Sequence, residues 1–263
     1  MRLFSCCLVL VLVACQKDDE RPGGVHVDCD ATNCVKPPPG GGGGGDASVS
    51  DSTAPLDGAA STSITGSALI LTSDDFLTAI PLTTPAEVRV EGASGVLVTT
   101  TYDGSEYALD GVKIGSPAWA ILVPNPADGM ATAQPLNTEV ASIFDLVTVP
   151  GETLDLIYGL LGAPTTRDPG KAHIVLRFVD GTGSPLPGVS VSHLGETIAY
   201  DSGGTWSDGV TATGDQGFAI IANVVPGAGG GKQTFTFSTP TLTQGAEIWV
   251  EADTVTISDV GVL

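Results

Sequence analysis

The chain has 263 residues, 42% hydrophobic, 15% charged and 5% aromatic, and its 35 Gly and 18 Pro exclude a helical bundle. Ten Lys and Arg against thirty Asp and Glu give a formal net charge of -20, which repels a nucleic-acid backbone and excludes DNA or RNA as a partner.

The N-terminus carries Arg2 and then an apolar run from Leu3 to Ala14. Its length, about 12 residues, suits a signal-peptide core and falls short of the roughly 20 needed to span a bilayer. The run ends in Leu12-Val13-Ala14-Cys15, which resembles the lipobox of bacterial lipoproteins. An ordinary signal peptide with a chance cysteine is the plainer alternative. The resemblance implies that residues 1–14 are a lipoprotein signal peptide and that Cys15 is the lipid attachment site, so that a membrane is a partner through the anchor. At about 0.8 kcal/mol per buried methylene, several acyl chains hold permanently. The acidic body adds no attraction to an anionic leaflet. Gln16 to Glu20, with Lys17 ahead of Asp18-Asp19-Glu20, resembles the surface-export signal of some Gram-negative lipoproteins, and reads equally as a solvated charge run. The expected location is the outer membrane, facing either outward or inward.

Residues 15–63 read as a lipidated, disordered tether. Pro37-Pro38-Pro39 is followed by six glycines, Gly40 to Gly45, and then by a Ser, Asp, Ala and Thr-rich stretch with no apolar period. Such a linker has a mean reach of about 40 Å. Within it, Cys29 and Cys34 are expected to form a small-loop disulfide in an oxidising envelope. A metal clip made with His26 and Asp28 is the sharper alternative, although the spacing matches no strong zinc pattern.

From Ile64 onward, short β-branched runs alternate with Gly, Pro, Asp and Asn turns. Residues 64–138 should form a first β-sandwich, with strands at Ser67–Thr72, Ala86–Glu91, Val96–Tyr102, Glu106–Leu109 and Ala118–Val123. Residues 139–171 break the rhythm. Val140, Ile143, Phe144 and Val147, and after Pro150-Gly151 also Leu154, Ile157, Tyr158 and Leu161, fall at helical spacing and predict two short helices, or one interrupted at Pro150. This connector either packs between domains or docks a partner.

Residues 172–263 predict a second sandwich of seven strands, beginning with alternating Ile174, Leu176 and Phe178. Phe178-Val179-Asp180, Gly183, Pro185-Leu186-Pro187-Gly188-Val189-Ser190-Val191, Gly214-Asp215 and Asn223-Val224 resemble the carboxypeptidase regulatory-like domain, a transthyretin-type sandwich. Thr101-Tyr102-Asp103-Gly104 through Leu109 and Gly111-Val112 is a looser version. The expected fold class is therefore all-β: tandem seven-stranded Ig-like or transthyretin-like β-sandwiches, a short helical connector and a disordered tether.

Little reactive chemistry offers itself. His26, His173 and His193 are the only histidines. His193-Leu194-Gly195-Glu196 spells the His-x-x-Glu of zinc carboxypeptidases, but no histidine follows to supply a third ligand. A hairpin could bring His173 and His193 together as a surface metal site, unless the two strands lie in different sheets. There is no Gly-x-Ser-x-Gly elbow, and Gly227 to Gly231 before Lys232 lacks phosphate-loop spacing. Asp74-Asp75 lacks the alternating ligands of a calcium loop. Trp206 either stacks on a sugar or caps the core. No catalytic residue, metal or cofactor is expected. The reading is a non-enzymatic envelope lipoprotein that binds or scaffolds a surface ligand, with carbohydrate as one candidate. The alternatives are an accessory subunit docking an envelope enzyme or transporter through residues 139–162, and a structural spacer or adhesin.

Overall fold

Alternation decides the local structure of the first half. In the computed structural model, Ala86–Glu91 is a strand with Val88 and Val90 fully buried and Glu87 exposed, as a half-buried pleat requires. The structure describes residues 61–91, 98–115, 117–136, 143–162, 165–193 and 196–262, which fall within one compact unit.

The strands in chain order are β1 (Ser61–Gly66), β2 (Ala68–Leu71), β3 (Ala79–Pro81), β4 (Ala86–Glu91), β5 (Val98–Tyr102), β6 (Tyr107–Lys113), β7 (Ala118–Val123), β8 (Ala131–Leu136) and β9 (Leu146–Thr148). Helix α1 (Gly151–Leu160) follows, and then β10 (Ala172–Val179), β11 (Ser190–Ser192), β12 (Thr197–Ser202), β13 (Thr205–Ser207), β14 (Phe218–Val224), β15 (Gly231–Ser238), β16 (Thr243–Val250) and β17 (Thr254–Gly261). The all-β class is what the structure has. Among the described residues, no helix is long and apolar enough to cross a membrane.

Strands of both expected sandwiches share one nine-stranded sheet, in the order β13-β12-β14-β10-β17-β8-β7-β4-β5. The junction is a short parallel pairing of Thr254, Val255 and Thr256 on β17 with Ala131, Thr132 and Ala133 on β8. Strand β8 is not among the strands expected from sequence, and its Pro135 is unusual for a central strand. Pro135 lies beyond the part of β8 that β17 reaches, so its missing N–H breaks no ladder on that side.

Three cores lie against this sheet. One face of β10 and β14 (Ile174, Leu176, Phe178, Ile221) packs on the β11-β15-β16 sheet through Val191, Phe235, Phe237 and Ile248, and Trp119 and Ile121 of β7 join the same core. In the first half, Val88, Val90, Ala120 and Leu122 pack under Ile64, Leu109 and Leu146. The third core sets Val175, Ile220, Ala222 and Val255 under α1, Leu71 and Phe76.

The connector contains one helix among the described residues, where the spacing allowed two. Residues 137–142 lie outside the description, and beyond them Leu146–Thr148 is strand β9, parallel to β2. The β-branched run Val147-Thr148-Val149 favours a pleat, and Pro150 holds the residue before it out of the helical region. Helix α1 forms just past that proline, with Glu152 favourably placed in its first turn and Leu154, Ile157 and Tyr158 on one buried face. It stops at Leu161, whose backbone is extended.

Candidate functional site

Cys15, Cys29 and Cys34 lie outside the described residues, as does His26. The two remaining histidines are not brought together. His173 is on β10 in the nine-stranded sheet, whereas His193 follows β11 in the three-stranded one.

His173 is fully buried and its Nδ1 lies 2.6 Å from the Tyr158 hydroxyl of α1. That hydroxyl also accepts the backbone N–H of Asn223, and the imidazole's other nitrogen, Nε2, is buried without a hydrogen-bond partner. Burial, reinforced by the Arg167 charge, pushes the His173 pKa down to about 4, and burial pushes Tyr158 up. Arg167 itself is paired with Asp155 at 2.9 Å. Asn223, in the left-handed region at φ 57°, bonds the backbone at Thr166 and Asp168. The cluster therefore fastens α1 and the segment after it to β10 and β14. A neutral imidazole with one nitrogen capped and the other facing the core has no route to a substrate proton.

His193 Nδ1 bonds Glu196 Oε2 at 2.6 Å, and its ring stacks on Phe235 with centroids 4.4 Å apart. The His-x-x-Glu pair thus forms a local carboxylate–histidine contact on the three-stranded sheet. Among the described residues no group of three or more His, Cys, Asp or Glu side chains is arranged to hold a metal ion. In the Asp74-Asp75 turn, the Asp75 carboxylate accepts the Ser73 hydroxyl and the Leu77 N–H, which is turn closure.

Trp206 belongs to β13 and is buried, packed edge-on to Phe76 at 6.0 Å with its indole N–H donated to the Asp74 carbonyl at 2.8 Å. It caps the core and presents no stacking platform. Trp119 is buried, and half-buried Trp249 donates its indole N–H to Glu251, which also pairs with Arg89 of β4.

Two features escape sequence reasoning. Asp201 is buried and accepts three backbone N–H groups, from Gly214, Gln216 and Phe218 at 3.1, 2.9 and 2.8 Å, holding the 211–217 loop against β12. Helix α1 also leaves Leu156 and Leu160 exposed on the side away from its buried face. The signal for the second was present: Gly151-Glu-Thr-Leu-Asp-Leu-Ile-Tyr-Gly-Leu-Leu-Gly holds more apolar residues than one helical stripe can bury.

No protein-family model matches the chain, and no curated protein matches it. Among solved structures, the chain is similar to the TIE protein of Bacillus anthracis (14% identity, TM-score 0.23, 76% of this chain and 34% of that one). It is also similar to a streptococcal ancillary pilin (11%, 0.22, 76% and 68%) and to a shaft pilin of Lactobacillus rhamnosus GG (11%, 0.23, 78% and 100%). The chain spans about a third of the length of the first of these. Overlaps of this size carry no argument about function.

Proposed function

We propose that this protein is a non-enzymatic scaffold of the bacterial envelope, tethered to the outer membrane by acyl chains on Cys15 and presenting a rigid β body to a protein partner. The observation that carries the reading is how the candidate reactive and ligand-stacking side chains are used. His173 is locked to Tyr158, His193 to Glu196 and Phe235, and Trp206 to the Asp74 carbonyl, each inside or against a core. A glycan-stacking face needs exposed rings, whereas Trp119 and Trp206 are buried and half-buried Trp249 has its indole N–H bonded to Glu251. The reading therefore takes a protein partner over carbohydrate. The lipobox-like Leu12-Val13-Ala14-Cys15 and the Pro- and Gly-rich stretch after it support an anchored body held clear of the headgroups.

The test is fractionation of cells expressing the full chain and its Cys15→Ser variant. The parent chain should sediment with membranes and incorporate labelled fatty acid, and the variant should do neither. Equal sedimentation of the two would refute the anchor, and turnover of a substrate by the purified protein would refute the scaffold.

A further inference from the structure

Three large apolar side chains stand in solvent on the segments that cover the third core. They are Leu77 (51% exposed) in the β2–β3 turn, and Leu156 (58%) and Leu160 (45%) on α1. Isolated exposed leucines are ordinary, but these three stand on segments whose inner residues belong to one core. Both segments are latched to the same short stretch after β12. The Asp74 carbonyl accepts the Trp206 indole N–H, and the Gly162 N–H donates to the Asp208 carboxylate at 2.8 Å. Their inner faces meet in one core, where Leu71 and Phe76 from the first segment pack with Leu154, Ile157 and Leu161 from the second.

The turn is built to present Leu77. Phe76 adopts φ 56°, an unfavourable value for a bulky residue, and its ring goes inward to Trp206 and Phe218 while Leu77 goes outward. The Asp75 carboxylate fixes this arrangement by accepting the Leu77 N–H at 2.9 Å.

Charge selects among occupants. The segments 73–81 and 151–162 carry Asp74, Asp75, Glu152 and Asp155 and no Lys or Arg. Asp155 is partly compensated by Arg167, whereas Glu152 and Asp75 are exposed. Residues 61–263 hold six Lys and Arg against 22 Asp and Glu, so a second copy would bring like charge to the contact. An anionic bilayer is disfavoured on the same ground.

The geometry points to a docking surface formed by α1 and the β2–β3 turn, whose occupant is a basic amphipathic segment of another protein: apolar anchors seat on Leu77, Leu156 and Leu160 while flanking Lys or Arg meet Asp75 and Glu152. This rests on the scaffold reading and names the class of partner. The acids supply rate and orientation and the leucines supply affinity.

The experiment uses the full chain in cells, with a photo-crosslinking residue at position 156, 160 or 77, or at exposed position 99 on β5 as control, and sequences the adducts. In parallel, the purified full chain is titrated with an amphipathic helical peptide having a Leu face and a Lys face, and with its Leu/Glu counterpart. Adducts confined to the first three positions and mapping to Lys- or Arg-flanked apolar segments support the proposal. So does binding of the Lys peptide that weakens about tenfold in Leu156→Ser/Leu160→Ser with unchanged circular dichroism and thermal unfolding. Self-adducts, lipid adducts, equal labelling at position 99, or Lys-peptide binding that ignores the leucine substitutions would overturn it. Membrane sedimentation of the same variants reports separately on the scaffold reading, because loss of docking leaves the Cys15 anchor in place.

Discussion

His173 is in the core because its β10 neighbours are, and it stays there only while neutral. Its pKa of about 4 lies below the 6.5 of an unfolded chain, so the unfolded state takes up more protons between those values. Stability conferred by the neutral imidazole is therefore complete above about pH 6.5 and declines as the pH falls toward 4, by roughly 3 kcal/mol in all. Urea unfolding at a series of pH values should show that slope, and His173→Leu should flatten it whatever it does to absolute stability. An unchanged slope would mean that His173 keeps a partner able to hold its charge. The sequence marked His173 as a strand residue, but its role comes from Tyr158, fifteen residues earlier on a helix, and no local spacing encodes that encounter.

Recurrent turn chemistry is the most legible feature among the elements. Asp103-Gly104-Ser105 and Asp180-Gly181-Thr182 each place a carboxylate to accept a neighbouring hydroxyl and backbone N–H groups, which holds both acids below the usual carboxylate range. Eight residues on in each case, Gly111 and Gly188 sit at φ 80° and deliver buried Val112 and Val189. The first half thus repeats this turn-and-glycine fragment of the second. Asp201 was not legible in the same way, because its three donors lie 13 to 17 residues away across a loop. Asp201→Ala strips acceptors from buried N–H groups and should cost roughly 3 kcal/mol, with Asp201→Asn in between. Urea unfolding should show a lower midpoint with an unchanged slope; a midpoint within error of the parent would show that the loop orders without Asp201.

At the scale of the molecule, pairing across the junction makes the halves interdependent. Texture identified strands on either side of residues 139–171, but partner choice is non-local: β17, last in the chain, pairs with β8, more than a hundred residues earlier, through only three residue pairs. The coupling is wider than that ladder. Trp119, Ile121 and Ala133 from the first half share a core with Ile174, Phe235 and Val250 from the second. Arg89 bonds Glu251, and the Trp206 indole donates to the Asp74 carbonyl. The ion pair is partly exposed and contributes about 1 kcal/mol or less, so the shared apolar core carries the connection. Unfolding should then be a single transition, reported together by tryptophan fluorescence and far-UV circular dichroism. Ala133→Asp, which forces a carboxylate into the junction core, should move that one transition to lower denaturant as a whole. If the halves were autonomous, it would split the curve, leaving one transition where it was and shifting the other.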